Sequence, residues 1–140
     1  IDGMNRLDKI VKSNDHFFIV WKNTNEKYQS ARVDLSGNVT LLKEFDYSGS
    51  YAHYKNDLVV GFSDPNNNDL GSVYRISENS VTALGKPGFT KEPTAVFVGS
   101  DGTNLFGAIA NCISPLYIEK IDFPNATRQV CGWEIIKFQP

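Results

Sequence analysis

Three aspartates recur along the chain at near-constant spacing. Ser13-Asn14-Asp15, Lys55-Asn56-Asp57 and Gly99-Ser100-Asp101 each follow a short apolar stretch and precede a longer one, and the aspartates lie 42 and 44 residues apart. A second set runs behind the first: Arg32-Val33-Asp34, Arg75-Ile76-Ser77 and Lys120-Ile121-Asp122, spaced 43 and 45. Each of these triplets is soon followed by a turn, at Gly37-Asn38-Val39-Thr40, Asn79-Ser80-Val81-Thr82 and Asn125-Ala126-Thr127. A repeat of this period restricts the fold severely. Each repeat is one supersecondary unit that cannot bury its apolar surface alone and must stack on its neighbours.

Each unit reads as four short strands rich in Phe, Val, Ile, Tyr and Thr, the residues that suit a pleated, half-buried surface. In the first unit they span Lys9 to Lys12, His16 to Lys22, Gln29 to Leu35 and Val39 to Phe45. In the second they span Tyr51 to Lys55, Leu58 to Ser63, Ser72 to Ser77 and Val81 to Leu84. In the third they span Thr94 to Gly99, Leu105 to Ala110, Leu116 to Asp122 and Thr127 to Trp133. Asn14-Asp15, Gly37-Asn38, Asn56-Asp57 and Asp101-Gly102 supply the turns between them. Met4, Leu7, Ile10 and Val11 also fit helical spacing, so a short N-terminal helix is the alternative there.

Four antiparallel strands repeated at this period resemble the blades of a β-propeller. The resemblance implies an all-β single domain over residues 1–140, with blade-like units at about 9–45, 51–85 and 94–133. Propellers close with four blades or more, so three units imply an incomplete or distorted ring, or one completed from elsewhere. A β-sandwich or barrel is the competing architecture.

Composition removes several functions. Net charge is −2, with 14 basic against 16 acidic residues, and a nucleic-acid binder needs a basic excess. The longest apolar run, Phe17 to Trp21, is far too short to span a bilayer as a helix. The sequence starts at Ile1 without a basic and apolar leader, as expected of a processed precursor or of a trimmed chain. Its two cysteines, Cys112 and Cys131, form an even pair. Together these features lead to an expectation of one disulfide and a periplasmic or secreted location, with two buried free thiols as the alternative. Asn38 and Asn125 stand in glycosylation sequons.

No catalytic set is legible. The two histidines, His16 and His53, carry no nucleophile motif beside them. Asp64-Pro65-Asn66-Asn67-Asn68-Asp69 offers oxygens at alternate positions but lacks the Gly and Glu of an EF-hand loop, so no metal is expected. Ser100-Asp101-Gly102-Thr103 is similar to the Asp box of sialidase-type propellers, itself a structural turn, and reads as an Asp-Gly hairpin. Tyr47, Tyr51, Tyr54 and Phe89 are candidates for a carbohydrate platform or for core. No cofactor is implied.

The sequence therefore reads as a non-enzymatic binder. Long connections on a rigid β scaffold are where recognition usually sits, and the expected loops are Asn23 to Lys27, Asp64 to Gly71 and Asn111 to Pro115, with Asp46 to Ser50 and Pro87 to Glu92 beside them. Asn25, Asn67, Asn68, Asn111, Ile113, Ser114 and Pro115 are the candidate contact residues. In Asn111-Cys112-Ile113-Ser114-Pro115, an apolar side chain stands next to a hydroxyl, with proline restricting the backbone before it. The three short units and this loop, with Cys131, resemble small periplasmic immunity proteins that neutralise type VI secretion peptidoglycan amidases. That resemblance implies a protein inhibitor that pushes the loop into the cleft of a secreted cell-wall amidase, with Ser114 hydrogen-bonding a catalytic group. The alternatives are a lectin-like module or a hydrolase.

Overall fold

The computed structural model describes residues 3–113 and 130–138, with the side chains of 3–109 and 133–138. Strands make up 60% of it, and there is no α-helix among the described residues. The strands are β1 Met4–Lys12, β2 His16–Asn23, β3 Tyr28–Asp34, β4 Val39–Leu41, β5 Ser50–Tyr54, β6 Asp57–Asp64, β7 Leu70–Ile76, β8 Val81–Ala83, β9 Val96–Ser100, β10 Leu105–Ile113 and β11 Val130–Phe138. They form three antiparallel sheets, none closed on itself: β1-β2-β3-β4, β5-β6-β7-β8 and β9-β10-β11.

The aspartate repeat is structural. Asp15 lies in the β1–β2 turn, Asp57 opens β6 after the β5–β6 turn, and Asp101 lies in the β9–β10 turn. The strand register extends the equivalence. Phe17 faces Val33, Leu58 faces Ile76 and Leu105 faces Phe138. Asn23, Asp64 and Asn111 then fall at matching places, each six residues further along its strand.

One expectation, the last strand of the third unit, is corrected. At the N-terminus the expected strand forms in place of the alternative helix, as β1. Its register slips between Leu7 and Lys9, and this bulge absorbs Asp8 as an extra residue. Leu7 and Ile10 thereby share one face, opposite Trp21 and Ile19, which imitates helical spacing. In the third unit the expected fourth strand, Thr127 to Trp133, is replaced by β11, which runs on to Phe138 and pairs directly with β10. The counterpart of Arg32-Val33 and Arg75-Ile76 is therefore Lys137-Phe138. The expected strand Leu116 to Asp122 lies outside the described residues.

The second sheet is the centre of a stack. One of its faces presents Leu58, Val60, Phe62 and Ile76 to Phe18, Val20, Leu42 and Phe45 of the first unit. Its other face presents Ala52, Val59 and Val73 to Val96, Leu105, Ile109 and Phe138 of the third. Consecutive residues of β6 thus serve opposite cores, which explains its unbroken apolar run. Each fully buried side chain of this kind contributes roughly 1.5–3 kcal/mol. Gly61 lets β9 approach: a Cβ there would stand 2.6 Å from the Val96 carbonyl oxygen.

Candidate functional site

Two ends and two faces of this stack are available for chemistry or recognition. The outer face of the first sheet differs most from an ordinary solvent surface. Phe17, Ile19 and Trp21 of β2 point away from the Phe18 and Val20 core, because strand side chains alternate. Their register partners share that face: Leu7 and Ile10 on β1, Ala31 and Val33 on β3, and Val39 and Leu41 on β4. Leu7, Ile10, Val39 and Leu41 are each more than half exposed, whereas Trp21 at the centre is 2% exposed. By register, Phe17, Ile19, Trp21 and Val33 correspond to Leu58, Val60, Phe62 and Ile76 of the second sheet. Those four are covered by the first sheet. Beside Trp21 lies an open depression of about 660 Å³, lined by Gln29, Val39 and Leu41 and, toward the β2–β3 turn, by Asn23, Thr24, Asn25 and Glu44.

The third sheet is apolar on its outer side too. Phe97, Trp133 and Ile135 are 53%, 65% and 67% exposed, and Phe106 is exposed beside them. The Phe97 and Trp133 rings meet edge to face at 5.8 Å.

Of the expected contact residues, Asn25, Asn67 and Asn68 lie at the end carrying the longer connections, between β2 and β3 and between β6 and β7. Asp64, 2% exposed, builds that end. Its carboxylate accepts from Ser72 Oγ at 2.7 Å, Asn67 Nδ2 at 2.8 Å and the Asn66 amide at 3.0 Å. Ser72 Oγ also accepts from the Gly88 amide at 2.7 Å, which ties in the 85–90 connection. Asn67 is therefore half-buried and committed, whereas Asn68 is exposed with left-handed backbone, φ 56°. Asn23 plays the part of Asp64 in the first sheet, accepting from the amides of Asn25 and Lys27 at 3.0 and 3.1 Å, and Asn25 projects from that turn. Asn111 and Ile113 are not in a loop, as expected above, but are strand residues of β10, facing Gly132 and Val130. Their side chains, and Ser114 and Pro115 entirely, lie outside the described residues. Cys112 faces Cys131 across β10 and β11, so the two positions are register neighbours rather than separated by a strand. Their side chains also lie outside the described residues.

The aromatic candidates serve the interior. Tyr47 and Tyr51 pack on the first core and Phe89 on the second, where it meets Phe138 edge to face at 5.7 Å. Tyr54 lies beneath Arg75, 4.9 Å from the guanidinium carbon to the ring centre. Burial raises the Tyr51 hydroxyl well above the usual tyrosine range.

The opposite end brings the histidines together. Asp15, His16, His53 and Lys55 line a shallow depression with Gly102. The His16 and His53 ring centres are 6.3 Å apart. His16 Nδ1 is 2.6 Å from Asp15 Oδ1, and this hydrogen bond holds the Asp15 carboxyl below the usual range. Ser13 Oγ lies 3.1 and 3.2 Å from the two ring nitrogens. The hydroxyl is thus shared almost equally between the two nitrogens while the carboxylate takes Nδ1, unlike a relay in which they take opposite ones. Burial, then the nearby His16, lowers the His53 pKa.

Among the described residues no group of three or more His, Cys, Asp or Glu is arranged to hold a metal ion, and no helix is long and apolar enough to cross a membrane. Comparison with family models, curated proteins and solved structures found no match for this chain.

Sequence reasoning missed the outer face of the first sheet. The signal was present in Phe17-Phe18-Ile19-Val20-Trp21, since a strand apolar at every position is one covered on both sides.

Proposed function

We propose that this chain is a non-enzymatic protein-binding module whose three sheets stack as consecutive blades of a propeller-like arc. The uncovered apolar face of the first sheet carries the reading. It repeats the pattern that the second sheet buries, and a contiguous apolar face left exposed is suited to meeting another protein. The sheet order supports the arc. β1, β5 and β9 begin their units and each lies at one edge of its sheet, as the inner strands of blades do.

The test is dye binding by the isolated chain in dilute solution. 1-Anilinonaphthalene-8-sulfonate should bind, and Leu41→Glu or Ile10→Lys should reduce that binding without lowering the melting temperature. A chain that binds no dye at any dilution contradicts the reading.

A second reading keeps recognition at the loop end, and the rigid Asp64-anchored turn favours it. A turn ordered before association loses less entropy on binding. The partner to try first is a secreted cell-wall amidase, as the sequence resemblance implies. Asn68→Ala should then weaken inhibition of the amidase, and an amidase unaffected by the unsubstituted protein rejects that partner.

A further inference from the structure

Among the described residues the proposed arc has two uncovered ends, and they are complementary. We infer that the outer face of the third sheet docks on the outer face of the first sheet of a second copy of this chain. The inference rests on the protein-binding reading above and names the partner.

The contact would repeat one already made twice within the chain, where one sheet lays an apolar face on the next. Shape supports it. Trp133 is 65% exposed on β11 and pairs with Ala110, beyond the Ile109 that closes the second core. It therefore stands toward the long-connection end. The depression beside Trp21 opens toward that same end, at the β2–β3 turn, and is large enough for an indole. Glu44 and Gln29 in its wall offer acceptor oxygens for the indole N–H, and a buried Trp N–H usually needs a partner.

Area supports it as well. The exposed apolar side chains leave roughly 400 Å² uncovered on each face, comparable to the largest patch of a typical monomer. One contact would bury roughly 800 Å² in total. Two copies related by a two-fold axis make the contact twice, roughly 1,600 Å², the size of a specific interface. A head-to-tail contact that closes after two members ends the assembly as a pair rather than a filament. The result is a ring of six sheets, within the range of closed propellers.

Sedimentation tests this. The unsubstituted chain should sediment at twice the chain mass at tens of micromolar. Trp133→Glu and Leu41→Glu should each give monomers, with dimerisation weakened at least about 30-fold. Both side chains are exposed, so far-UV circular dichroism should not change. Trp133→Ala and Leu41→Ser serve if either charged variant misfolds. Mixing the two charged variants should partly restore the dimer, because one of its two contacts is then unsubstituted on both sides. A dimer insensitive to Trp133→Glu would mean that another face pairs, and overturns the inference. A monomer that still binds dye overturns the second copy but leaves the protein-binding reading standing. A monomer that binds no dye overturns both.

Discussion

Replacing Asp64 by alanine should loosen the whole long-connection end. The carboxylate is 2% exposed and accepts three hydrogen bonds, from Ser72 Oγ, Asn67 Nδ2 and the Asn66 amide. Ser72 is fully buried, so its hydroxyl would lose its acceptor with no water to replace it. A hydrogen bond to a charged group is worth about 1.5–3 kcal/mol, and a buried donor left unmade costs about 1–3 kcal/mol. The three do not add fully, because the two loop donors gain water when the carboxylate goes. A loss of about 3–4 kcal/mol follows, or roughly 10 °C in melting temperature for a domain of this size. Asp64→Asn should cost much less, about 1–2 kcal/mol. Asn23 already does the corresponding work in the first sheet with an amide oxygen. Urea denaturation of both variants measures the difference. If Asp64→Ala costs under 1 kcal/mol, the carboxylate does not anchor this end; if Asn is as costly as Ala, the anchor needs both oxygens and the charge, and the parallel with Asn23 fails.

Three further outcomes are expected. Ser30 Oγ is buried with no hydrogen-bond partner among the described residues, so Ser30→Ala should leave stability unchanged or raise it by up to about 1 kcal/mol in urea denaturation. Asp101 accepts from the Asn104 amide, the Asn104 side chain and the Thr103 amide, which lower the pKa of its carboxyl to about 2. With the folded value below the unfolded one, its contribution is present above about pH 4 and is lost as pH falls toward 2. Asp101→Asn should flatten the melting temperature across that window, and an unchanged acid slope rejects the assignment. The β10–β11 register sets Cys112 opposite Cys131, a spacing a disulfide can bridge. The unfolded, unreduced chain should therefore titrate no free thiol, and reduction should cost about 3 kcal/mol. Two reactive thiols would refute the bridge.

The aspartate repeat was sufficient to locate the units, because each Asp marks the turn between a first and a second strand. Strand positions in the first two units were legible within a few residues for the same reason. The third unit was misread where the chain between Ile113 and Val130 breaks the period. Lys120-Ile121-Asp122 matched the spacing by sequence, but pairing with β10 falls to Lys137-Phe138. The β1 bulge acted differently, since one inserted residue, Asp8, turned an alternation into a helical period and left a helix open as the alternative. Site residues were harder to read. Exposure of an apolar strand face depends on what lies beyond the sheet, and no local pattern reports that. Asn67 illustrates the converse, a loop amide that looked free and is spent on Asp64.

Fluorine NMR of the chain labelled with 5-fluorotryptophan tests the central claim most directly. The two tryptophans give two signals, one from the buried Trp21 and one from the exposed Trp133. In dilute solution the Trp133 signal should show a full solvent isotope shift between H₂O and D₂O, and Trp21 almost none. As concentration rises into the tens of micromolar, the Trp133 isotope shift should disappear as its face is covered. A Trp133 signal that keeps its full isotope shift at every concentration contradicts the account.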